Sequence, residues 1–79
     1  MIKVLFFGPV AERVGNSEVS VEFSAGMCLQ DLRAQLQALH PAAFEIVCFA
    51  AVDGEQAQDM SLPLAEHSEV VFMSKFSGG

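Results

Sequence analysis

A single amphipathic helix, set between apolar segments, most constrains the fold of this 79-residue chain. Within residues 28–40, leucines recur at spacings of three and four, so they share one helical face while neighbouring positions are mostly polar. Pro41 follows and is expected to end the helix. The leucines predicted to be buried are Leu29, Leu32, Leu36 and Leu39. Because the sequence predicts no other long helix, most of the remaining apolar residues belong in strands.

The segments around the helix are typical of β-strands. We predict strands over residues 2–7, 18–23, 46–52 and 69–73, a short helical turn over 10–14 and a polar loop over 55–59. The second strand alternates apolar and polar residues, as a half-buried strand does. The order strand, strand, helix, strand, loop, strand, tail predicts an α+β protein of the β-grasp, or ubiquitin-like, class. In this class a mixed sheet of four or five strands packs on one main helix.

The first and last predicted strands are apolar on both faces. One helix covers only one face of a sheet, so the surplus apolar side chains on the other face are expected to be exposed and then covered by a partner. By strand alternation these candidate partner-binding residues are Leu5, Phe7, Val71 and Met73. Burial in the protein's own core is the alternative for each of them.

Charge and hydropathy restrict the function classes. Four basic and ten acidic residues give a formal net charge of -6, which argues against a nucleic-acid partner and suits a cationic protein surface. Charged residues interrupt every apolar run before it reaches the length that spans a bilayer. The N-terminus lacks the layout of a signal peptide, so a cytoplasmic protein without a membrane partner is expected.

Cysteine and histidine residues give no sign of a metal site. Cys28 and Cys48 have no C-x-x-C spacing, and their apolar neighbours predict buried, unreactive thiols. His40 and His67 have no neighbour at metal-ligand spacing. We therefore predict that the chain binds no metal.

The chain ends in Ser77-Gly78-Gly79, and two final glycines can enter a channel too narrow for side chains. There the carboxylate of Gly79 could be activated as an acyl-adenylate and accept a nucleophile. A terminus without function is the alternative, since most chain ends are poorly ordered. We predict one domain over residues 1–79, with a flexible tail over residues 74–79.

Several short segments together resemble a known family in order and spacing across the whole chain. They are Val4-Leu5-Phe6-Phe7, Glu12-Arg13-Val14-Gly15, Leu29-Gln30-Asp31-Leu32, Ala51-Val52-Asp53-Gly54 and Glu69-Val70-Val71-Phe72, followed by the terminal diglycine. The chain resembles the MoaD family, the small sulfur-carrying subunits of molybdopterin synthase. The thiamine-pathway sulfur carriers share the fold and the tail, and they are the second family that the chain resembles.

The resemblance implies a sulfur carrier that is not an enzyme on its own and binds no cofactor. An adenylating enzyme of the ubiquitin-activating type would use ATP to activate Gly79, and a sulfur donor would convert it to a thiocarboxylate. The carrier would then dock on the large subunit of molybdopterin synthase, in an expected heterotetramer, and deliver sulfur to cyclic pyranopterin monophosphate.

Within the tail, the resemblance makes Gly79 the sulfur-bearing residue, and Gly78 would let the tail thread into the partner. Phe76, Ser77 and Lys75 are candidate partner contacts. For Phe76 the alternative is packing on its own sheet, and for Lys75 it is an ordinary solvated position.

The chain departs from the family pattern in ways that keep other functions open. Ser74-Lys75 stands where family members often carry two prolines, and Asp53 stands where Asn is common. Three alternatives therefore remain: a sulfur carrier for another pathway, a ubiquitin-like modifier that joins Gly79 to a target lysine, and an interaction module whose diglycine is incidental.

Overall fold

The computed structural model describes residues 1–75 of the chain. In chain order its elements are β1 (Ile2–Phe6), α1 (Pro9–Val14), β2 (Glu18–Val21), α2 (Leu29–Leu39), α3 (Pro41–Phe44), β3 (Phe49–Val52), β4 (Glu55–Ala57) and β5 (Glu69–Met73). The strands form one sheet in the order β2-β1-β5-β3-β4. The central pair, β1 and β5, is parallel and the other pairs are antiparallel. The predicted β-grasp architecture is confirmed.

Strand alternation places the core on the side of the sheet that α2 covers. Val4 lies opposite Val70 and Phe6 opposite Phe72, and all four side chains are buried. The rings of Phe6 and Phe72 both contact Phe44 from α3, with centroid separations of 6.4 and 5.1 Å. Such aromatic pairs add about 0.5–1.5 kcal/mol to the free energy gained by burial alone. The short helix α3, which the sequence did not predict, therefore contributes a central core residue.

The helix α2 buries three of the four predicted leucines: Leu29, Leu32 and Leu36. The prediction is wrong for Leu39, whose exposed fraction is 72%. Leu39 is the last residue of α2, and the chain turns at His40 into α3. The buried Ala43 and Phe44 of α3 then fill the adjoining part of the core.

Two strand predictions also need correction. Residues 55–57 form β4 rather than a loop, because Asp53 and Gly54 both take positive φ, 51° and 87°, and fold the chain back on β3. The third strand begins at Phe49 rather than at residue 46. This shorter strand leaves Cys48 exposed, so the predicted burial of its thiol is wrong, while Cys28 is half-buried. Within residues 1–75 no helix has the length and apolar character needed to cross a membrane.

Candidate functional site

The end of β5 anchors the root of the C-terminal tail. The carbonyl oxygen of Phe72 accepts a hydrogen bond from the amide of Phe7 at 3.4 Å, and that of Met73 accepts one from the amide of Cys48 at 3.0 Å. Neighbouring segments therefore hold the chain from both sides as far as Met73. Ser74, the first residue of the predicted tail over residues 74–79, is only 4% exposed. Strand alternation explains this burial, because Ser74 continues the inward-facing positions of β5.

The tail residues beyond the root were predicted to carry the chemistry. Lys75 is the last described residue and is exposed. Phe76, Ser77, Gly78 and Gly79 lie outside the described residues, so the roles assigned to them stay predictions.

The sheet face opposite α2 carries an apolar surface that reaches the root of the tail. Leu5 lies opposite Val71, which in turn faces Ala51 on β3. Phe49 lies opposite Met73 in the next row of the sheet. We name these residues, together with Phe7 at the end of β1, the outer apolar patch: Leu5, Phe7, Phe49, Ala51, Val71 and Met73.

The largest exposed side chains of the patch are two phenylalanines. Phe7 is 47% exposed and Phe49 is 40% exposed. Leu5, Val71 and Met73 are half-buried, and the structure brings them together with Phe7 as their strand positions predicted. Their contact with a partner stays a prediction.

Sequence reasoning missed Phe49 and Ala51 as candidate contacts. Residues 46–52 form a nearly continuous apolar run, which hides which positions face outward. The buried Ala50 reveals the alternation only once the pairing of β3 with β5 is known.

Polar residues border the outer apolar patch away from the tail. Lys3 lies opposite Glu69, and Glu18 lies beside Leu5 on the edge strand β2. An apolar centre with a charged rim is the usual anatomy of a protein–protein interface. The patch is therefore a candidate docking surface, and Met73 brings it to the root of the tail.

A groove of about 450 Å³ opens at the root of the tail on the side of α1 and α3. Its lining residues are Pro9, Arg13, Glu45, Ile46, Cys48, Ser74 and Lys75. We call it the tail-root groove.

One wall of the tail-root groove is held by Arg13. Its Nη1 donates to the carbonyl oxygen of Ala42 at 2.9 Å and lies 3.6 Å from Oε2 of Glu45. These contacts join α1 to α3 and hold this wall of the groove in place.

The carboxyl groups with shifted pKa values accept hydrogen bonds from residues close to them in sequence, and these residues do not belong to the tail. The pKa of Asp31 is lowered from its ordinary value, mainly because the backbone amide of Cys28 donates to the carboxylate at 3.0 Å. The pKa of Asp59 is lowered mainly by the hydroxyl of Ser61, which donates at 2.6 Å. Across residues 1–75, no three His, Cys, Asp or Glu side chains are grouped so as to hold a metal ion.

Comparison with known proteins agrees with the fold and with the sequence resemblance. The molybdopterin synthase sulfur carrier subunit of Caenorhabditis briggsae is 36% identical over 81 residues, covering 99% of this chain and 96% of that protein. The structure of SAMP1 from Haloferax volcanii matches with a TM-score of 0.83 at 22% identity, covering 99% of this chain and 98% of that one.

A further solved structure is a complex of subunits 1 and 2 of the molybdopterin-converting factor from Helicobacter pylori. One of its chains matches with a TM-score of 0.73 at 23% identity, covering 99% of this chain and 97% of that one. At these identities the two structural matches concern the fold alone. The model of the ThiS family matches residues 4–79, nearly the full length, and the chain belongs to the ThiS family.

Proposed function

We propose that this chain is a sulfur carrier that serves as the small subunit of molybdopterin synthase. The observation that carries the proposal is the 36% identity to the Caenorhabditis briggsae sulfur carrier subunit, which extends over 99% of this chain. The β-grasp sheet, the outer apolar patch at the root of the tail and the terminal diglycine support the same function.

The chemistry of the carrier takes place at Gly79. The carboxylate of Gly79 attacks ATP in an adenylating enzyme of the ubiquitin-activating type, which releases pyrophosphate and leaves an acyl-adenylate. A sulfur donor then displaces AMP, and the terminal carboxylate becomes a thiocarboxylate. Glycine suits this position because the absence of a Cβ lets the reactive carbonyl enter a narrow channel.

The outer apolar patch and the tail together would engage the large subunit of molybdopterin synthase. In Helicobacter pylori, a related chain forms a complex with subunit 2 of the molybdopterin-converting factor. For this chain we propose a heterotetramer in which the large subunit covers Phe7 and Phe49, and the tail delivers sulfur to cyclic pyranopterin monophosphate. The net charge of -6 would favour encounter with a basic partner.

The anchored root defines how far the tail can reach. Residues 75–79 follow the buried Ser74, and five fully extended residues span about 17 Å. The active site of the partner should therefore lie within this distance of the edge of the docking surface.

Deletion of Gly79 tests the proposed function most directly. The deletion moves the reactive carbonyl back by up to about 3.5 Å, and a misplacement of only 1 Å can cost roughly 100-fold in rate. Molybdopterin formation should be lost while the melting temperature stays unchanged. Gly78→Ala should weaken activation or transfer, and Gln37→Ala, at an exposed position of α2, is the control. Wild-type synthesis by the chain that lacks Gly79 would contradict the proposal.

Intact mass after incubation with ATP, an adenylating enzyme and a sulfur donor separates the alternatives. Replacement of one oxygen by sulfur supports a carrier, whereas a ladder of conjugates would indicate a protein modifier. A thiocarboxylate without molybdopterin formation by the reconstituted complex would indicate a carrier for another pathway. No change in mass would indicate an interaction module.

A further inference from the structure

A charged residue stands at one end of the central row of the outer sheet face. This row crosses all five strands, and the pairing register gives it, in the strand order of the sheet, as Glu18, Leu5, Val71, Ala51 and Gln56. The three middle residues belong to the outer apolar patch and Gln56 is neutral, so Glu18 carries the charge of the row. We propose that Glu18 pairs with a basic side chain of the protein that covers the patch, and that this pair fixes the orientation of the partner on the sheet.

The carboxylate of Glu18 is accessible to a partner. Glu18 is exposed on β2, which is an edge strand of the sheet. Its direct neighbour on β1 is the apolar Leu5, and neither of the two ion pairs within residues 1–75 involves Glu18. The carboxylate therefore borders the patch without an ionic partner in the described part of the chain.

The next row of the same face holds other carboxylates, which are placed differently. Glu69 of β5 lies directly opposite Lys3 of β1, so that two opposite charges are neighbours and largely offset each other. Asp53 follows β3, three strand spacings or about 14 Å from β2, and its carboxylate already accepts a hydrogen bond from the amide of Glu69. Glu18 is therefore the carboxylate that a partner meets in the same row as the patch.

The apolar patch alone does not fix the orientation of a partner, because the hydrophobic effect is not directional. A partner could turn about the centre of the patch and still cover Phe7 and Phe49. A charge at the rim opposes this rotation, since it disfavours every orientation that brings a like charge beside it. Glu18 lies two strand spacings, about 10 Å, from β5, whose last residue Met73 leads into the tail. The carboxylate and the root of the tail thus define two separate points on the docking face.

This placement specifies the chemistry of the partner's surface. The partner should carry an apolar centre over the patch and a Lys or Arg side chain on the side that faces β2. The inference rests on the proposed sulfur-carrier function, in which the partner is the large subunit of molybdopterin synthase. A basic side chain over the other end of the row cannot substitute, because Gln56 lies four strand spacings, about 19 Å, from Glu18. That separation is more than twice the Debye length of about 8 Å at physiological salt.

Association kinetics with the large subunit test this orientation. Glu18→Gln removes the charge and keeps the shape of the side chain. It should lower the association rate constant roughly two- to fivefold at low salt, as the loss of one exposed ion pair does. The difference should vanish near 1 M salt, where the Debye length is only about 3 Å. Glu18→Lys should slow association further, because it places a like charge beside the partner's basic residue.

Glu55→Gln is the matched control, because it makes the same change of net charge at another exposed position. Glu55 lies opposite Val52 on β3, on the sheet face that carries the helices rather than on the patch. The chain with Glu55→Gln should associate at close to the parent rate at every salt concentration. Equal slowing by Glu18→Gln and Glu55→Gln would show that only the net charge steers the encounter, and the proposal would be wrong.

Glu18 has an alternative role, because a charge on an edge strand hinders pairing with other chains. That role predicts self-association of Glu18→Gln in sedimentation and an association rate equal to that of the parent chain, and this outcome would overturn the proposal. Binding of the parent chain and of Glu18→Lys at the same rate would also overturn it, while the proposed function would stand. If the large subunit does not bind the parent chain, both fail.

Discussion

Asp53 and Glu69 exchange two hydrogen bonds at the end of the sheet farthest from the tail. The amide of Asp53 donates to the carbonyl oxygen of Glu69 at 2.8 Å, and the amide of Glu69 donates to Oδ1 of Asp53 at 2.9 Å. The side chain of Asp53 therefore replaces a backbone acceptor where β3 turns into β4. Its φ of 51° lies in the left-handed region, which Asp and Asn tolerate better than most residues.

This relationship predicts that an amide can replace the carboxylate of Asp53. Asp53→Asn keeps an oxygen that can accept from the amide of Glu69, so its free energy of unfolding should stay close to that of the parent chain. Asp53→Ala removes the acceptor and should lower the free energy of unfolding by about 1 kcal/mol. Urea unfolding of both variants checks the prediction. If both variants lost the same free energy of unfolding, the stabilisation would come from the negative charge of Asp53 and not from its hydrogen bond.

The first residue before α2 gives a second prediction. Cys28 is the N-cap of α2, and its own amide donates to Oδ2 of Asp31. Sulfur is a weak hydrogen-bond acceptor, whereas the Ser hydroxyl is among the preferred N-cap groups. Cys28→Ser should therefore raise the free energy of unfolding by about 0.5 kcal/mol, the lower end of measured N-cap effects. Thermal melts compare it with Cys48→Ser, which changes an exposed residue and should have little effect. A lower melting temperature for Cys28→Ser would contradict this account of the cap.

The lowered pKa values of Asp31 and Asp59 predict how stability changes in acid. A carboxyl whose pKa is lower in the folded state stabilises the fold above its unfolded pKa, and this stability is lost as pH falls through the folded pKa. The urea concentration at the midpoint of unfolding should therefore decrease as the pH is lowered below about 4, which is near the unfolded pKa of aspartate. Asp31→Asn combined with Asp59→Asn should flatten that fall. Parallel curves for the parent chain and the double variant between neutral pH and strong acid would contradict the prediction.

The parts of the fold that sequence predicted are those with a clear period. The alternation of Val19 and Val21 with polar residues located β2, and the leucine spacing located α2. These patterns reflect burial against one surface, so they can be read without knowing the neighbouring elements.

The features that sequence missed depend on tertiary contacts. In the sequence Pro41 predicts only the end of α2. A proline is also suited to the first turn of a helix, and here it begins α3. Glu55 and Gln56 are polar, so β4 is defined by its pairing with β3 rather than by composition. Leu39 has the correct spacing for burial, yet no described element covers the end of α2. Exposure of a periodic residue at a helix end cannot be read from the period alone.

The outer apolar patch gives the final prediction, which rests on the proposed complex with the large subunit of molybdopterin synthase. Phe49 is 40% exposed on the outer face of β3, and Leu39 is 72% exposed at the end of α2. Large aromatic side chains near the centre of an interface often carry much of its binding energy. Phe49→Ala should therefore weaken binding to the large subunit roughly tenfold or more, as truncation of such a residue does.

Leu39→Ala is the control because it removes a large exposed apolar side chain that lies outside the patch. It should leave the affinity unchanged, and both variants should retain the cooperative unfolding of the parent chain. Calorimetric titration of the large subunit with each variant measures the effect directly. If Leu39→Ala weakens binding and Phe49→Ala does not, the large subunit docks on the helical side of the sheet. The outer apolar patch would then belong to another contact.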